Sequence, residues 1–100
     1  MQESREEFSL ALSPCKNFVF ALGGFSQSAN TCLRTIEKYT ILTDTWQTLN
    51  SQLDTPLKST AVATMPDGIY LIGGFNWASK TFSKRVIRLT LSNYSDEIDL

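Results

Sequence analysis

The feature that most constrains the fold is a repeat. Asn17-Phe18-Val19-Phe20-Ala21-Leu22-Gly23-Gly24-Phe25 aligns with Asp67-Gly68-Ile69-Tyr70-Leu71-Ile72-Gly73-Gly74-Phe75, without a gap, at an offset of 50. Each copy is an apolar run that ends in Gly-Gly-Phe. Four of the five glycines fall in the two doublets, so chance is a poor explanation. The same offset aligns residues 9–12 with 59–62 and residues 35–41 with 85–91. A fixed period of this length marks a repeat architecture, whose units bury their apolar faces only against each other.

Both units read as β structure. β-branched and aromatic runs, broken by Gly, Pro, Asn and Asp, dominate, and helical spacing of apolar residues is hard to find. The first strand is expected near 9–12 and 59–64. The second, 18–23 and 69–73, is almost continuously apolar, as a strand buried on both faces would be. The glycines end it where the backbone needs positive φ or another chain comes too close for a Cβ. Polar loops follow at 26–31 and 76–80, then a third strand around 33–41 and 84–91. In the first unit Leu42-Thr43-Asp44 turns the chain into a fourth strand at 45–49, and 50–57 is a Pro-containing connection. Four antiparallel strands with short links make a meander, the shape of one propeller blade. The expected units are 1–52, with a short acidic N-terminal lead, and 53–100, ending in an acidic tail at 93–100.

Composition narrows the chemistry. Apolar residues make up 42% and charged residues 19%, a globular balance. The net charge of −1 argues against a nucleic-acid binder, which would carry a basic excess. There is no histidine, which removes the commonest metal ligand, the commonest general base and every Ser/His or Cys/His arrangement. Cys15 and Cys32 have no CxxC spacing, so neither a metal nor any other cofactor is expected. Two unbridged thiols are the expectation, one disulfide the alternative. The longest apolar stretch, 18–25, falls short of the roughly 20 residues that a bilayer requires, and the charged start lacks the pattern of a secretory signal. These readings imply a cytoplasmic, non-catalytic chain without nucleic-acid or membrane partners.

The first unit resembles a kelch repeat. Its apolar strand 18–22 runs into Gly23-Gly24, Glu37 and Tyr39 lie in the third strand, and Asp44-Thr45-Trp46 stands near the end. The second unit matches through Gly73-Gly74 and then departs, with Ile87 in place of the glutamate, Leu89 in place of the tyrosine and Asp96 where a tryptophan is expected. The resemblance covers roughly residues 5–92. It implies two four-stranded antiparallel blades of a kelch-type β-propeller, a partial propeller whose second blade is incomplete. It also implies that Gly23, Gly24, Glu37, Tyr39, Trp46, Gly73 and Gly74 are architecture, with rings filling space within and between blades. Loops on one face of such propellers carry recognition, which nominates Gln27, Asn30, Asn76, Trp77 and Lys80 as partner-binding residues.

Each candidate has a plainer reading beside the functional one. Trp77 either meets a partner or folds back onto its own blade. Lys80, Lys84, Arg85 and Arg88, with no acidic residue between Gly68 and Ser95, either attract an acidic peptide or protect a solvated edge strand, and the second is favoured. Glu37 and Asp44 have ready solvated explanations, so paired carboxylates for acid/base work are not assigned. Thr43-Asp44-Thr45-Trp46 faintly matches a sialidase-type box but lacks its glycine. The resemblance implies a protein-interaction module. Relatives with such repeats include ubiquitin-ligase substrate adaptors, actin binders and scaffolds. The alternative is a segment of an enzymatic kelch-type propeller, an oxidase or a sugar-processing enzyme, with catalytic residues outside these. Since propellers close with about four to eight blades, two blades require further blades or self-association to complete a ring.

Overall fold

The computed structural model describes residues 1–91 and 98–99. Among them there is no helix. The described residues form thirteen strands in chain order. The first blade contains β1 (Ser9–Leu12), β2 (Phe18–Leu22), β5 (Thr35–Thr40) and β6 (Thr45–Gln52), antiparallel and in that order across the sheet. The hairpin of β3 (Phe25–Ser26) and β4 (Thr31–Cys32) follows its doublet. The second blade contains β8 (Ala61–Met65), β9 (Gly68–Ile72), β12 (Val86–Leu91) and β13 (Ile98–Asp99) in the same order. Beside it, β7 (Leu57–Lys58), β10 (Phe75–Asn76) and β11 (Thr81–Phe82) make a small sheet. The chain is thus all-β, two four-stranded blades of a partial propeller.

The fourth strand of the second unit exists, but as a two-residue pairing of Thr90 and Leu91 with Asp99 and Ile98. Asp96 and most of the expected acidic tail lie outside the described residues. The ungapped alignment needs one correction. Ser9 pairs with Leu22, and Ala61 pairs with Ile72. Ser9 is therefore equivalent to Ala61, not to Ser59, and the offset before the doublets is 52. The cause is turn length: the second blade joins β8 to β9 through the two-residue turn Pro66-Asp67, whereas the first uses the longer loop 13–17. Ser59, expected to start a strand, instead has a left-handed φ of 57°.

Strand alternation sorts the side chains onto faces. One face of the first sheet carries Ala11, Phe20, Leu22 and Ile36, extended by Leu49 and Leu53. The facing side of the second carries Ile69, Leu71, Ile87 and Leu89, extended by Leu57 and the half-buried Val62. Together these make one core cluster. The core therefore lies between the blades rather than within either. A large aliphatic or aromatic side chain fully buried there contributes about 1.5–3 kcal/mol. Two long-range hydrogen bonds pin the inner strands, from Ser9 Oγ to the Thr60 carbonyl at 2.8 Å and from Thr64 Oγ1 to the Leu12 carbonyl at 2.7 Å.

The doublet glycines have a local cause. Gly23 has a φ of 62°, and a Cβ there would stand 2.6 Å from the Leu57 carbonyl oxygen. Gly24 has a φ of 93°, a Cβ would meet Phe8 Cβ at 2.6 Å, and its N–H donates to the same Leu57 carbonyl at 2.8 Å. Only a residue without a Cβ allows the strand connecting the blades to pass this close.

Candidate protein-binding surface

The doublets place the hairpins β3–β4 and β10–β11 side by side at one end of the blades. Each hairpin tip is held by a side chain at its start. Ser26 Oγ accepts the Ala29 N–H, and the Asn76 carboxamide oxygen accepts those of Ala78 and Ser79 at 3.0 and 3.2 Å. Asn30 and Lys80, fifty positions apart, both take the left-handed conformation that closes such tips. Asn76 is therefore engaged in its own loop, while Gln27, Asn30 and Lys80 are exposed at the tips.

Aromatic rings gather between the hairpins. Trp77 is half-buried and lies 5.3 Å, centroid to centroid, from Phe25 of the neighbouring blade and 6.3 Å from Phe75. It thus spans the junction between blades, beyond packing on its own. Phe82, 79% exposed, meets Phe75 edge-on at 5.2 Å. Cations sit on these rings: Lys80 Nζ stands 3.2 Å from the Trp77 centroid, and Lys58 Nζ stands 6.0 and 5.8 Å from Phe25 and Phe75. Glu7, Lys58, Ser59, Phe75, Trp77 and Phe82 enclose a cavity of about 340 Å³. The Ser59 hydroxyl and the Lys58 ammonium hold the Glu7 carboxyl below its ordinary range. Burial pushes the Cys32 thiol up, against the pull of Lys58 and Lys80. Cys15 and Cys32 are unbridged; Cys32 is buried and Cys15 half-buried.

Sequence reasoning missed a fully buried ion pair. Arg5, in the expected acidic lead, has a fully buried guanidinium that donates to the Gly23 and Thr35 carbonyls at 2.8 and 3.0 Å. It pairs with Glu37 at 2.7 Å, and both side chains are inaccessible. The solvated reading of Glu37 is corrected accordingly. Its carboxylate also accepts the backbone N–H groups of Gln2 and Glu3. Glu6 bridges Phe25 as Lys58 bridges Phe75, so residues 2–8 follow the course that residues 54–60 take on the second blade. A signal was present: Arg5 and Leu57 are equivalent, and so are Glu37 and Ile87. The ion pair of one blade is an apolar pair in the other, where Leu57 and Ile87 share the core.

The remaining sequence candidates do not converge on the hairpin surface. Tyr39 and Trp46 form a ring pair at 5.0 Å on the sheet face turned away from the core, and Trp46 is only half-buried. Asp44 takes the Tyr39 hydroxyl at 2.6 Å. Gln27 lines a separate groove with Ser4, Arg5, Glu6, Phe25 and Ser28. The basic stretch divides: Arg85 pairs with Asp54 at 2.7 Å and Arg88 with Asp67 at 3.4 Å, while Lys84 and Lys80 are exposed. Leu42, 93% exposed at the opposite end of the blades, was not anticipated as a surface residue. Among the described residues, no three or more Cys, Asp or Glu are placed to hold a metal ion.

No curated protein matches the chain. A family model of the kelch motif matches residues 15–52, from the turn before β2 to the end of β6. Those residues carry Gly23-Gly24 against the interblade connection, Glu37 in its buried pair and Tyr39 against Trp46. Residues 15–52 of this chain thus match a kelch motif, set in the first of two blades.

Proposed function

We propose that the chain is a non-catalytic protein-binding module that takes a peptide segment of its partner at the hairpin end of the blades. The observation that carries this reading is the aromatic and cationic cavity formed by Phe75, Trp77, Phe82 and Lys58, with Lys80 on its edge. Exposed or half-buried Trp and Phe rings beside cations are the side chains that dominate binding energy at interfaces. A partner segment with an apolar or aromatic side chain and a nearby carboxylate fits that cavity. The kelch motif supports an interaction role; the finer assignments are our own proposal. We place the chain in the cytoplasm, as the substrate-recognition part of a ubiquitin-ligase adaptor or as a cytoskeletal scaffold.

The test uses peptides selected from a displayed random library against the whole chain and measured by fluorescence anisotropy. Phe82→Ser and Lys80→Glu should each weaken binding about tenfold or more. Leu42→Ser, at the opposite end, should leave it unchanged. Equal binding by the Phe82 and Lys80 variants, or loss only with Leu42→Ser, overturns the assignment.

A further inference from the structure

The two sheets have equivalent positions with opposite environments. Leu22 is 3% exposed and its equivalent Ile72 is 45% exposed; Ile36 is inaccessible and its equivalent Val86 is 61% exposed. The residue types are conserved between the blades and only the covering differs. Leu22 and Ile36 lie under the second blade, whereas Ile72 and Val86 face outward. The glycines repeat the contrast. The Leu57 carbonyl crowds Gly23 at 2.6 Å and accepts the Gly24 N–H. At Gly73 the nearest atom is a Ser83 carbonyl oxygen 3.5 Å away, and among the described residues no carbonyl takes the place of Leu57 at Gly74. Gly73 and Gly74 nevertheless keep the left-handed φ values of 68° and 89°. The outward face of the second blade is thus shaped for a backbone that none of the described residues supplies.

The opposite face of the molecule supplies the shape of its occupant. On the outward side of the first blade, Leu10 is 56% and Leu12 40% exposed. They are equivalent to Val62 and Thr64, which lie on the core-facing side of the second blade. Residues 2–8 lie across that side as residues 54–60 lie across the second blade. Charges agree as well. The open face of the second blade carries Lys84 and Arg88, and residues 2–8 carry Glu3, Glu6 and Glu7. At the internal junction Arg34, equivalent to Lys84, donates to the Leu53 carbonyl at 2.8 Å, on the approach to residues 54–60.

We propose that the outward face of the second blade receives the first blade of a second copy of this chain, head to tail, repeating the internal junction. In that contact Leu10 of the second copy takes the place of Val62 against Ile72 and Val86. The Arg5 carbonyl of the second copy takes the place of Leu57 and accepts the Gly74 N–H. Lys84 meets the acidic residues 2–7 of the second copy. Such a contact is heterologous, and successive copies close a ring when the rotation per junction allows it.

Light scattering on the whole chain tests this. The wild type should show a mass that is an integer multiple of the monomer and should dissociate on dilution and, through the charges, with added salt. Val86→Arg and Leu10→Arg change exposed positions on opposite faces, and each alone should give a monomer. Mixing the two variants in equal amounts should restore one good junction and give a 1:1 dimer that grows no further. A wild-type chain that remains monomeric at about 100 µM, where a junction with a micromolar Kd would be largely formed, overturns the proposal. So does a Leu10→Arg variant that still self-associates, since that result assigns the contact to two copies of the same face. The selected peptides should bind the variant monomers normally, so failure here is distinct from failure at the hairpin cavity.

Discussion

The Arg5–Glu37 pair offers a prediction with its control already written in the other blade. Both side chains are fully buried, and the guanidinium donates to Glu37, to two carbonyls and to the Thr35 hydroxyl. Its Nε has no hydrogen-bond partner among the described residues, and the Glu3 carboxylate, on a partly exposed side chain, stands 3.6 Å from the guanidinium. Glu37→Ile alone leaves a buried cation without its buried counter-charge, facing only that exposed carboxylate. Breaking a buried pair in this way costs about 3–5 kcal/mol, a large share of the roughly 5–15 kcal/mol that holds a domain together. Arg5→Leu alone strands the carboxylate and should cost a similar amount. The double variant Arg5→Leu/Glu37→Ile copies the Leu57 and Ile87 of the second blade. Replacing a buried pair with apolar groups of similar volume is often neutral or stabilising by about 1–4 kcal/mol. Urea unfolding followed by tryptophan fluorescence measures all four states of the cycle. At about 4–8 °C per kcal/mol for a domain of this size, each single variant should also lose well over 10 °C in Tm. A Glu37→Ile variant as stable as wild type would refute the reasoning, and so would a double variant as unstable as the singles.

Two further outcomes follow. Gly23→Ala should destabilise much more than Gly73→Ala in a comparison of urea midpoints. Both positions carry the strain of a left-handed φ, but only Gly23 has a backbone oxygen 2.6 Å from the new Cβ. Equal losses would contradict the role given to the interblade connection. At low pH, the Tyr70 hydroxyl chiefly, with Arg88, holds the Asp67 carboxyl below its ordinary value. A lowered folded-state pKa stabilises above the unfolded value of about 3.9 and is lost as the pH falls through the folded one. Tyr70→Phe should therefore reduce the loss of stability as the pH falls below about 4, and an unchanged acid limb of the stability profile would count against it.

The repeat made the architecture legible before any coordinates. Two doublets in one register predicted two blades, and period-2 alternation separates Ile87 and Leu89 from Val86 and Arg88; the structure shows that the first two are the buried ones. Four things were not legible, each for a physical reason. An ungapped alignment cannot register a difference in turn length, so Ser9 was set against Ser59 instead of Ala61. Charge was read as solvent exposure, and this hid Arg5 and Glu37, whose partners lie 32 positions apart and meet only when residues 2–8 cross the first sheet. Trp77 stood open between two readings because the ring it meets most closely, Phe25, belongs to the other blade. Phe82 and Lys58, which line the cavity, carried no sequence signal of their own: neither differs from an ordinary strand residue until the hairpins are side by side.

The position of the core also governs the order of events during synthesis. Phe20, Leu22 and Ile36 find their apolar partners at Leu57, Ile69, Leu71, Ile87 and Leu89. A ribosome making about 5–20 residues per second therefore leaves the first sheet complete in sequence but bare on one side for several seconds. During that interval the chain presents an extended apolar β surface with unpaired edges, the kind of species that chaperones recognise and that aggregates when they are absent. Contacts of such long sequence separation also fold slowly by the usual dependence on topology. The vulnerable stage in the life of this chain is its translation, when half of the interblade core exists and the other half has not been made.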